Sequence, residues 1–444
     1  MGYLKSLGTG FVWICTFLAI ITFMPGLPPN IDFKPHNITL PTKISKPIPN
    51  ENLSKAEKLF QGKIFGPESF DAYDGVLYFS AAGGSVYKFV NNDFVEVVRF
   101  GKTCHNMWKE DLCGRPLGLK FDKSGNLYVV DTYYGIFKVD VKTGNYEKII
   151  DTSQPIEGKI PMIPNSIDIA SNGDLYWTDS NTNFKLYEGL FSILSDPSGR
   201  LIHYNAKTKE NKVLLENLGF ANGIKISDDE NFVIVAETAM SRIIKYYLKG
   251  PKAGNGEIMV EGLPGLPDNI HSDNQGNFLV SLVVVTDEDE PNLAQSLLPH
   301  PLIRKMIIRF VTLLKLPFKL LDLIYPNSYC SRAYYWIGSF KSAPSVFSER
   351  TIVLRIDNDG KILDVLISNS EEISSISSAF ILNNYMWLGS PFNDYLARLP
   401  IDKIPEFKSK KIESKEKKTK QPEKSAPKPA KQDSKKPSKV KVEL

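Results

Sequence analysis

Apolar and polar positions alternate along this chain in a phrase that recurs. From Ile163 to Ile169 apolar and polar residues largely alternate, Ser171-Asn172-Gly173-Asp174 follows, and Leu175-Tyr176-Trp177-Thr178-Asp179 alternates again. A period of two marks a half-buried strand, and Asn-Gly supplies the positive φ of a tight hairpin turn. The phrase returns near residues 66, 115, 220, 266 and 375, with turns at Asp74-Gly75, Ser124-Gly125-Asn126, Asp228-Asp229-Glu230, Asn274-Gln275-Gly276 and Asn383-Asn384. Further strand-like segments, such as Gly84–Phe89 and Gly135–Val139, lie between the copies. Six copies at a spacing of roughly 50 residues predict an all-β chain, a six-bladed β-propeller over residues 61–402. A β-sandwich is the alternative, but it demands no repeat of this length.

One interval, from the fifth copy to the sixth, is too long. It predicts an insertion at 283–346, inside or after the fifth blade. The insertion opens on Asp287-Glu288-Asp289-Glu290 and continues as a helical pattern, Leu297–Leu316, interrupted by Arg304, Lys305 and Arg309. A second apolar stretch, Phe318–Tyr325, follows Pro317. A pair of helices forming a lid over one propeller mouth is expected, and the basic amphipathic stretch 297–325 also suits contact with a membrane surface.

The ends have a different character. Lys5 precedes an apolar run from Gly8 to Met24, so residues 8–26 are expected to be a transmembrane signal anchor and 1–7 cytoplasmic. The protein would then be a single-pass type II membrane protein with its bulk lumenal or extracellular. A cleaved signal peptide is the alternative, although no Ala-x-Ala-like site closes the run. Residues 27–60 read as a Pro-rich stalk with a short helix from Leu53 to Phe60, and Asn37 and Asn52 lie in glycosylation sequons. Residues 403–444 turn to Lys, Glu, Ser and Pro, a composition that cannot bury a core and predicts a disordered tail. The terminal Lys441-Val442-Glu443-Leu444 differs from an ER-retrieval signal by Val in place of an acidic residue.

Charge and cysteine content sharpen this only a little. The net charge of +4 is concentrated in the tail, so the folded part gives no argument for nucleic acid. Of four cysteines, Cys104 and Cys113 bracket a short polar segment and suit a disulfide in an oxidising compartment, two free thiols being the alternative.

The candidate chemistry comes from register. Nine or ten positions before the "Leu-Tyr" of each copy stand Glu68, Asn165, Asn222 and Asp268, with Asn269 beside the last; Leu117 and Ser377 fill the other two places. The innermost strands of a propeller surround its axis, so equivalent positions converge. Two carboxylates with amide oxygens make an all-oxygen cage suited to a hard cation, Ca²⁺ above all, whereas zinc or iron would call for His or Cys. The competing reading is that these groups cap strands and turns.

The motifs Gly66-Pro67-Glu68-Ser69, Cys113-Gly114-Arg115-Pro116-Leu117-Gly118, Pro155-Ile156-Glu157-Gly158, Phe220-Ala221-Asn222-Gly223-Ile224, Val235-Ala236-Glu237-Thr238 and Leu263-Pro264-Gly265-Leu266-Pro267-Asp268-Asn269-Ile270 occur in order. Together they resemble the strictosidine synthase-like family, within the wider superfamily of paraoxonases and gluconolactonases, across about residues 50 to 400. The resemblance implies a six-bladed propeller with axial Ca²⁺ held by Glu68, Asn165, Asn222, Asp268 and Asn269. It also implies arylesterase-like hydrolysis of a small-molecule ester or lactone. Asp268 would help activate water, with His271 the nearest histidine. Two departures matter: Arg115-Pro116-Leu117 stands where paraoxonases place a catalytic His, and Ser377 or Ser378 where strictosidine synthase has its catalytic Glu. The alkaloid-forming condensation is therefore not expected. A non-catalytic, membrane-anchored binding or adhesion propeller with a structural Ca²⁺ is the other reading.

Overall fold

The computed structural model describes residues 2–44, 46–104, 108–343, 349–370 and 372–404. The apolar N-terminal run forms helix α1 (Gly2–Phe23), and a short first strand, β1 (Glu57–Leu59), precedes the repeats. Blade one is β2 (Phe70–Tyr73), β3 (Val76–Ser80), β4 (Ser85–Val90) and β5 (Asp93–Arg99). A short helix, α2 (Glu110–Cys113), leads to blade two: β6 (Pro116–Phe121), β7 (Leu127–Asp131), β8 (Gly135–Val139) and β9 (Tyr146–Ile150). Blade three is β10 (Pro164–Ile169), β11 (Leu175–Asp179), β12 (Gly199–Tyr204) and β13 (Asn211–Leu218), with α3 (Gly189–Leu194) between its second and third strands. Blade four is β14 (Ala221–Ile226), β15 (Phe232–Glu237), β16 (Arg242–Tyr247) and β17 (Gly256–Val260). Blade five opens with β18 (Gly265–Ser272) and β19 (Phe278–Val285). Helices α4 (Leu293–Ser296), α5 (Pro301–Ile324) and α6 (Ser328–Trp336) intervene before β20 (Thr351–Ile356) and β21 (Ile362–Ser368) complete it. Blade six is β22 (Ser378–Leu382), β23 (Tyr385–Gly389) and β24 (Leu396–Pro400).

All six sheets are antiparallel and four-stranded, and the first strand of each packs on the first strand of the next, β22 returning to β2. This closed ring bears out the propeller expectation. The core lies between blades: Phe232, Ile234, Val280, Leu282 and Leu354 fill one seam, and Val86, Phe100, Leu127, Val129 and Phe137 another. Each such side chain stabilises the fold by about 1.5–3 kcal/mol. Two glycines let the inner strands close in around the axis. A Cβ on Gly118 would meet the Asn165 carbonyl at 2.6 Å, and one on Gly223 the Asp268 carbonyl at 2.3 Å. The candidate site residues are therefore drawn together by the absence of side chains beside them.

Several expectations need correction. The segment read as a short helix from Leu53 to Phe60 is one 3₁₀ turn, Glu51–Lys55, followed by β1, which pairs with β24 as the fourth strand of blade six. The propeller thus begins before residue 61, and its ring is fastened by the N-terminal side of the chain. The stalk does not run free: His36 N donates to the Leu298 carbonyl, Thr42 N to Gly262, and Asn50 N to Val365. Asn52 is buried and accepts from Lys55 Nζ, which removes it as an exposed glycosylation site, whereas Asn37 is exposed. The insertion lies within blade five, between β19 and β20, and Pro317 does not divide it: α5 runs through that proline. The second helix is instead Ser328–Trp336. The Lys-rich tail lies, from residue 405 on, outside the described residues.

Candidate metal centre on the propeller axis

In β10, β14 and β18 the pairing register shifts just after the site residue, between Pro164 and Ile167, Ala221 and Ile224, and Pro267 and Ile270. A bulge of this kind re-aims a side chain. Glu68, Asn165, Asn222, Asp268 and Asn269 are all buried, none more than 6% exposed. Asn165 Nδ2 donates to Ser180 Oγ at 3.0 Å, and Asn269 Nδ2 to the Glu68 carbonyl at 3.4 Å. Oδ1 of Asn165, of Asn222 and of Asp268 are buried without any hydrogen-bond partner. A buried acceptor left unpaired costs about 1–3 kcal/mol. Three of them in one register are not explained by strand capping, which would have given each a backbone N–H. Leu117, the blade-two member, packs instead with Ile163 and Phe220.

The electrostatics point the same way. Burial lifts Glu68 to about 7, against the lowering influence of Arg115, and Asp268 is pushed well above the carboxylate range by burial and by Glu68. Asp268 is thus a buried carboxyl raised by a second one, Glu68, whose own countercharge is Arg115. Among the described residues no three His, Cys, Asp or Glu side chains form a metal group. The donor set here is two carboxylates and amide oxygens, which fits a hard, oxygen-seeking cation and not a thiophilic one.

Three residues further along the same strands lies a second ring with the opposite character. Asp71 accepts from Lys120 Nζ at 3.0 Å and Phe121 N at 2.7 Å; Asp168 accepts from Lys225 Nζ at 2.6 Å and Ile226 N at 2.8 Å. Each pair clasps one blade to the next. His271 occupies the same place in blade five, with Nε2 at 2.8 Å from Ser378 Oγ and its ring against Phe380. Burial, with Lys120 and Lys225 nearby, lowers it to about 3. Its charged neighbours are those of this second ring, while Asp268 has Glu68 as its charged neighbour and Asn222 as a hydrogen-bond partner. His271, expected beside Asp268 in catalysis, thus stands in a contact between blades five and six, through Ser378.

Above the oxygen ring stand groups that the repeat pattern could not show. Arg115 is buried, donating to the Gly66 carbonyl at 3.0 Å and lying 3.4 Å from Glu68 Oε2. Glu110, on α2, faces Arg115 and Lys341, and Tyr133 Oη approaches it at 3.5 Å. Burial raises the Glu110 carboxyl, and its charge raises Glu68 in turn. The Cys104–Cys113 disulfide is formed, with Cα atoms 5.6 Å apart, and ties down the loop bearing Glu110. Glu110 lies between blades rather than in register. The cysteine pair around it was the one signal in the sequence.

Residues 165–251 match the strictosidine synthase family and residues 48–89 the strictosidine synthase-like N-terminal family. The chain is 36% identical over 422 residues to adipocyte plasma membrane-associated protein Hemomucin of Drosophila melanogaster, covering 93% of this chain and 73% of that one. It is 31% identical over 360 residues to adipocyte plasma membrane-associated protein of Rattus norvegicus, covering 80% and 89%. A gluconolactonase of Xanthomonas campestris shares the fold, with TM-score 0.50 at 13% identity, over 84% of this chain and 98% of that one. The family motifs, the ring of six sheets and these relatives agree: the chain belongs to the strictosidine synthase-like family, among the adipocyte plasma membrane-associated proteins.

Proposed function

We propose that this chain is a membrane-anchored hydrolase of carboxylic esters or lactones, arylesterase-like, that works with Ca²⁺ on the propeller axis. The observation that carries the reading is the ring of three unpartnered oxygens, on Asn165, Asn222 and Asp268, beside the buried carboxyl of Glu68 that raises Asp268. Glu68, Asn165, Asn222, Asp268 and Asn269 would hold the ion. When bound, Ca²⁺ supplies Lewis-acid polarisation of the carbonyl and a countercharge for the oxyanion. The chain's own residues supply the rest. Arg115 fixes Glu68, and Asn269 braces blade five on the strand entry of blade one. Glu110, raised by burial and held near the mouth, is the carboxylate placed to take a proton from water, with Asp268 the alternative base. The apolar helix α1, with its 18-residue span Ser6–Phe23, would anchor the chain in type II orientation, leaving the propeller lumenal or extracellular.

The test is hydrolysis of an aryl ester and of a lactone by the full chain in detergent, with Ca²⁺ or chelator. Turnover should need Ca²⁺ and vanish in Asp268→Ala, while Glu110→Gln should lose about 10²–10⁴-fold in kcat and its acidic pH limb. Turnover indifferent to chelator and to Asp268→Ala would overturn the reading. One observation favours a second reading, a non-catalytic binding propeller with structural Ca²⁺: Arg115 places a fixed positive charge on a would-be ligand, Glu68. Ca²⁺ that raises the melting temperature without turnover on any ester would select it.

A further inference from the structure

Helix α5 is built inside out. Its Arg304, Arg309 and Lys315 are buried at 0%, 5% and 3% exposure, whereas Leu302, Phe310, Leu314, Leu320, Leu321 and Ile324 are exposed. Each inward cation has a partner. Arg304 Nη1 binds the Leu194 carbonyl at 2.9 Å and Asp196 at 3.1 Å. Lys315 binds Glu188 at 3.1 Å and lies over the rings of Tyr187, Phe191 and Tyr334. Arg309 Nη1 donates to the carbonyls of Ile21 and Thr22, in the last turn of α1, and of Met24 just beyond it, at 3.0–3.1 Å. A helix in water keeps its charges outward. This one turns three of its cations onto the protein and, beside exposed Lys319 and half-buried Lys305, shows mostly hydrocarbon, followed by exposed Tyr325 and Tyr329.

We infer that the outer face of α5 lies in the lipid of the membrane that α1 crosses, as an interfacial helix just outside the span; the inference rests on the reading of α1 as the anchor. Continuity with α1 names the occupant. Arg309 fixes the middle of α5 to the last turn of α1, which is where an 18-residue apolar span leaves the hydrocarbon. Aromatic side chains at its end suit the headgroup level. The binding is apolar insertion rather than adsorption of a basic stretch, because the three buried cations are already engaged. The insertion leaves β19 at Val285, opposite Gly265, the end of the blade at which Asp268 stands. The oxygen-lined mouth is therefore the face turned to the bilayer, and the substrates that reach it are those that partition into lipid.

The test places an environment-sensitive fluorophore at single cysteines in the full chain reconstituted in phosphatidylcholine vesicles. Probes sit at Leu321→Cys on α5 and at Ile258→Cys on the propeller exterior, each with Cys15 and Cys330 replaced by Ser, and at native Cys15 on α1 with Cys330 replaced by Ser. The Leu321 probe should emit to the blue of the Ile258 probe, resist iodide, and be quenched by nitroxide lipids most strongly near the headgroup, about 5–10 Å deep. Adding phosphatidylserine or salt should change this little. The double variant Leu314→Glu and Leu320→Glu, at exposed positions, should restore iodide access at 321 with the melting temperature kept. Iodide access equal to that at Ile258, or shielding from iodide without lipid quenching (a second copy of the chain covering the face), would overturn the inference. Loss of lipid quenching at Cys15 as well would show instead that the anchor reading had failed.

Discussion

Two rings encircle one axis, three residues apart on the same strands, and they are opposites. In the lower ring Asp168 is buried, bonded to Lys225 and to Ile226 N, and lowered below the usual carboxylate range although burial opposes it. In the upper ring Asp268 is equally buried, with one oxygen unpartnered, and is raised well above that range. The residue type and the burial are the same, and both stand on innermost strands three register positions apart; the difference is the presence or absence of a countercharge. A protein that can satisfy a buried aspartate in this setting has done so where the role is to clasp blades. Where it has not, the proposed Ca²⁺ would be the missing partner.

The largest effect should come from breaking a clasp. Lys225→Met leaves Asp168 buried and unpaired, and should cost about 2–4 kcal/mol by denaturant melting, with or without Ca²⁺, whereas an upper-ring change should cost more with Ca²⁺ than without. Asp131 lies between the two cases. Its Oδ1 accepts from Tyr133 N and Tyr134 N, its Oδ2 is unpartnered, and burial lifts it from 3.8 to about 7. The native state holds a proton that the unfolded chain releases, so stability present below pH 3.8 is lost as pH rises through about 7. Asp131→Asn should therefore melt like the parent in acid and be more stable by ~1–3 kcal/mol at pH 8. A constant difference across that window would contradict the assignment.

Asn222→Ala sharpens the contrast further. In chelator it should cost about 1–3 kcal/mol, because the side chain also hydrogen-bonds the buried Asp268. In Ca²⁺ it should forfeit the ion's stabilisation. The smallest effect belongs to His271→Gln, which keeps a partner for Ser378: esterase turnover should stay within about twofold of the parent. A large loss of kcat there would restore His271 to the chemistry.

Much of this was legible in the chain. The alternation at Leu175–Asp179 and its copies gave the blades, because period two and turn residues are local signals. The register also placed Glu68, Asn165, Asn222 and Asp268. Reading it three residues on would have shown Asp71, Lys120, Asp168, Lys225 and His271 as a second ring. Other features were not local. Glu57–Leu59 is too short to announce a strand, and only its pairing with Leu396–Arg398 makes it one. The inversion of α5 depends on Asp196, Glu188 and the end of α1, all far away in sequence. Glu110 reaches the mouth through a disulfide loop that no repeat encodes.

The most direct measurement is calorimetric titration of the chelator-stripped full chain with Ca²⁺, with melting temperature followed on the same samples. The account predicts one tightly bound ion, a rise in melting temperature, and the loss of both in Asp268→Asn and Asn222→Ala but not in His271→Gln. No binding heat and no change in melting would contradict it, and would leave three buried oxygens on the axis without a purpose.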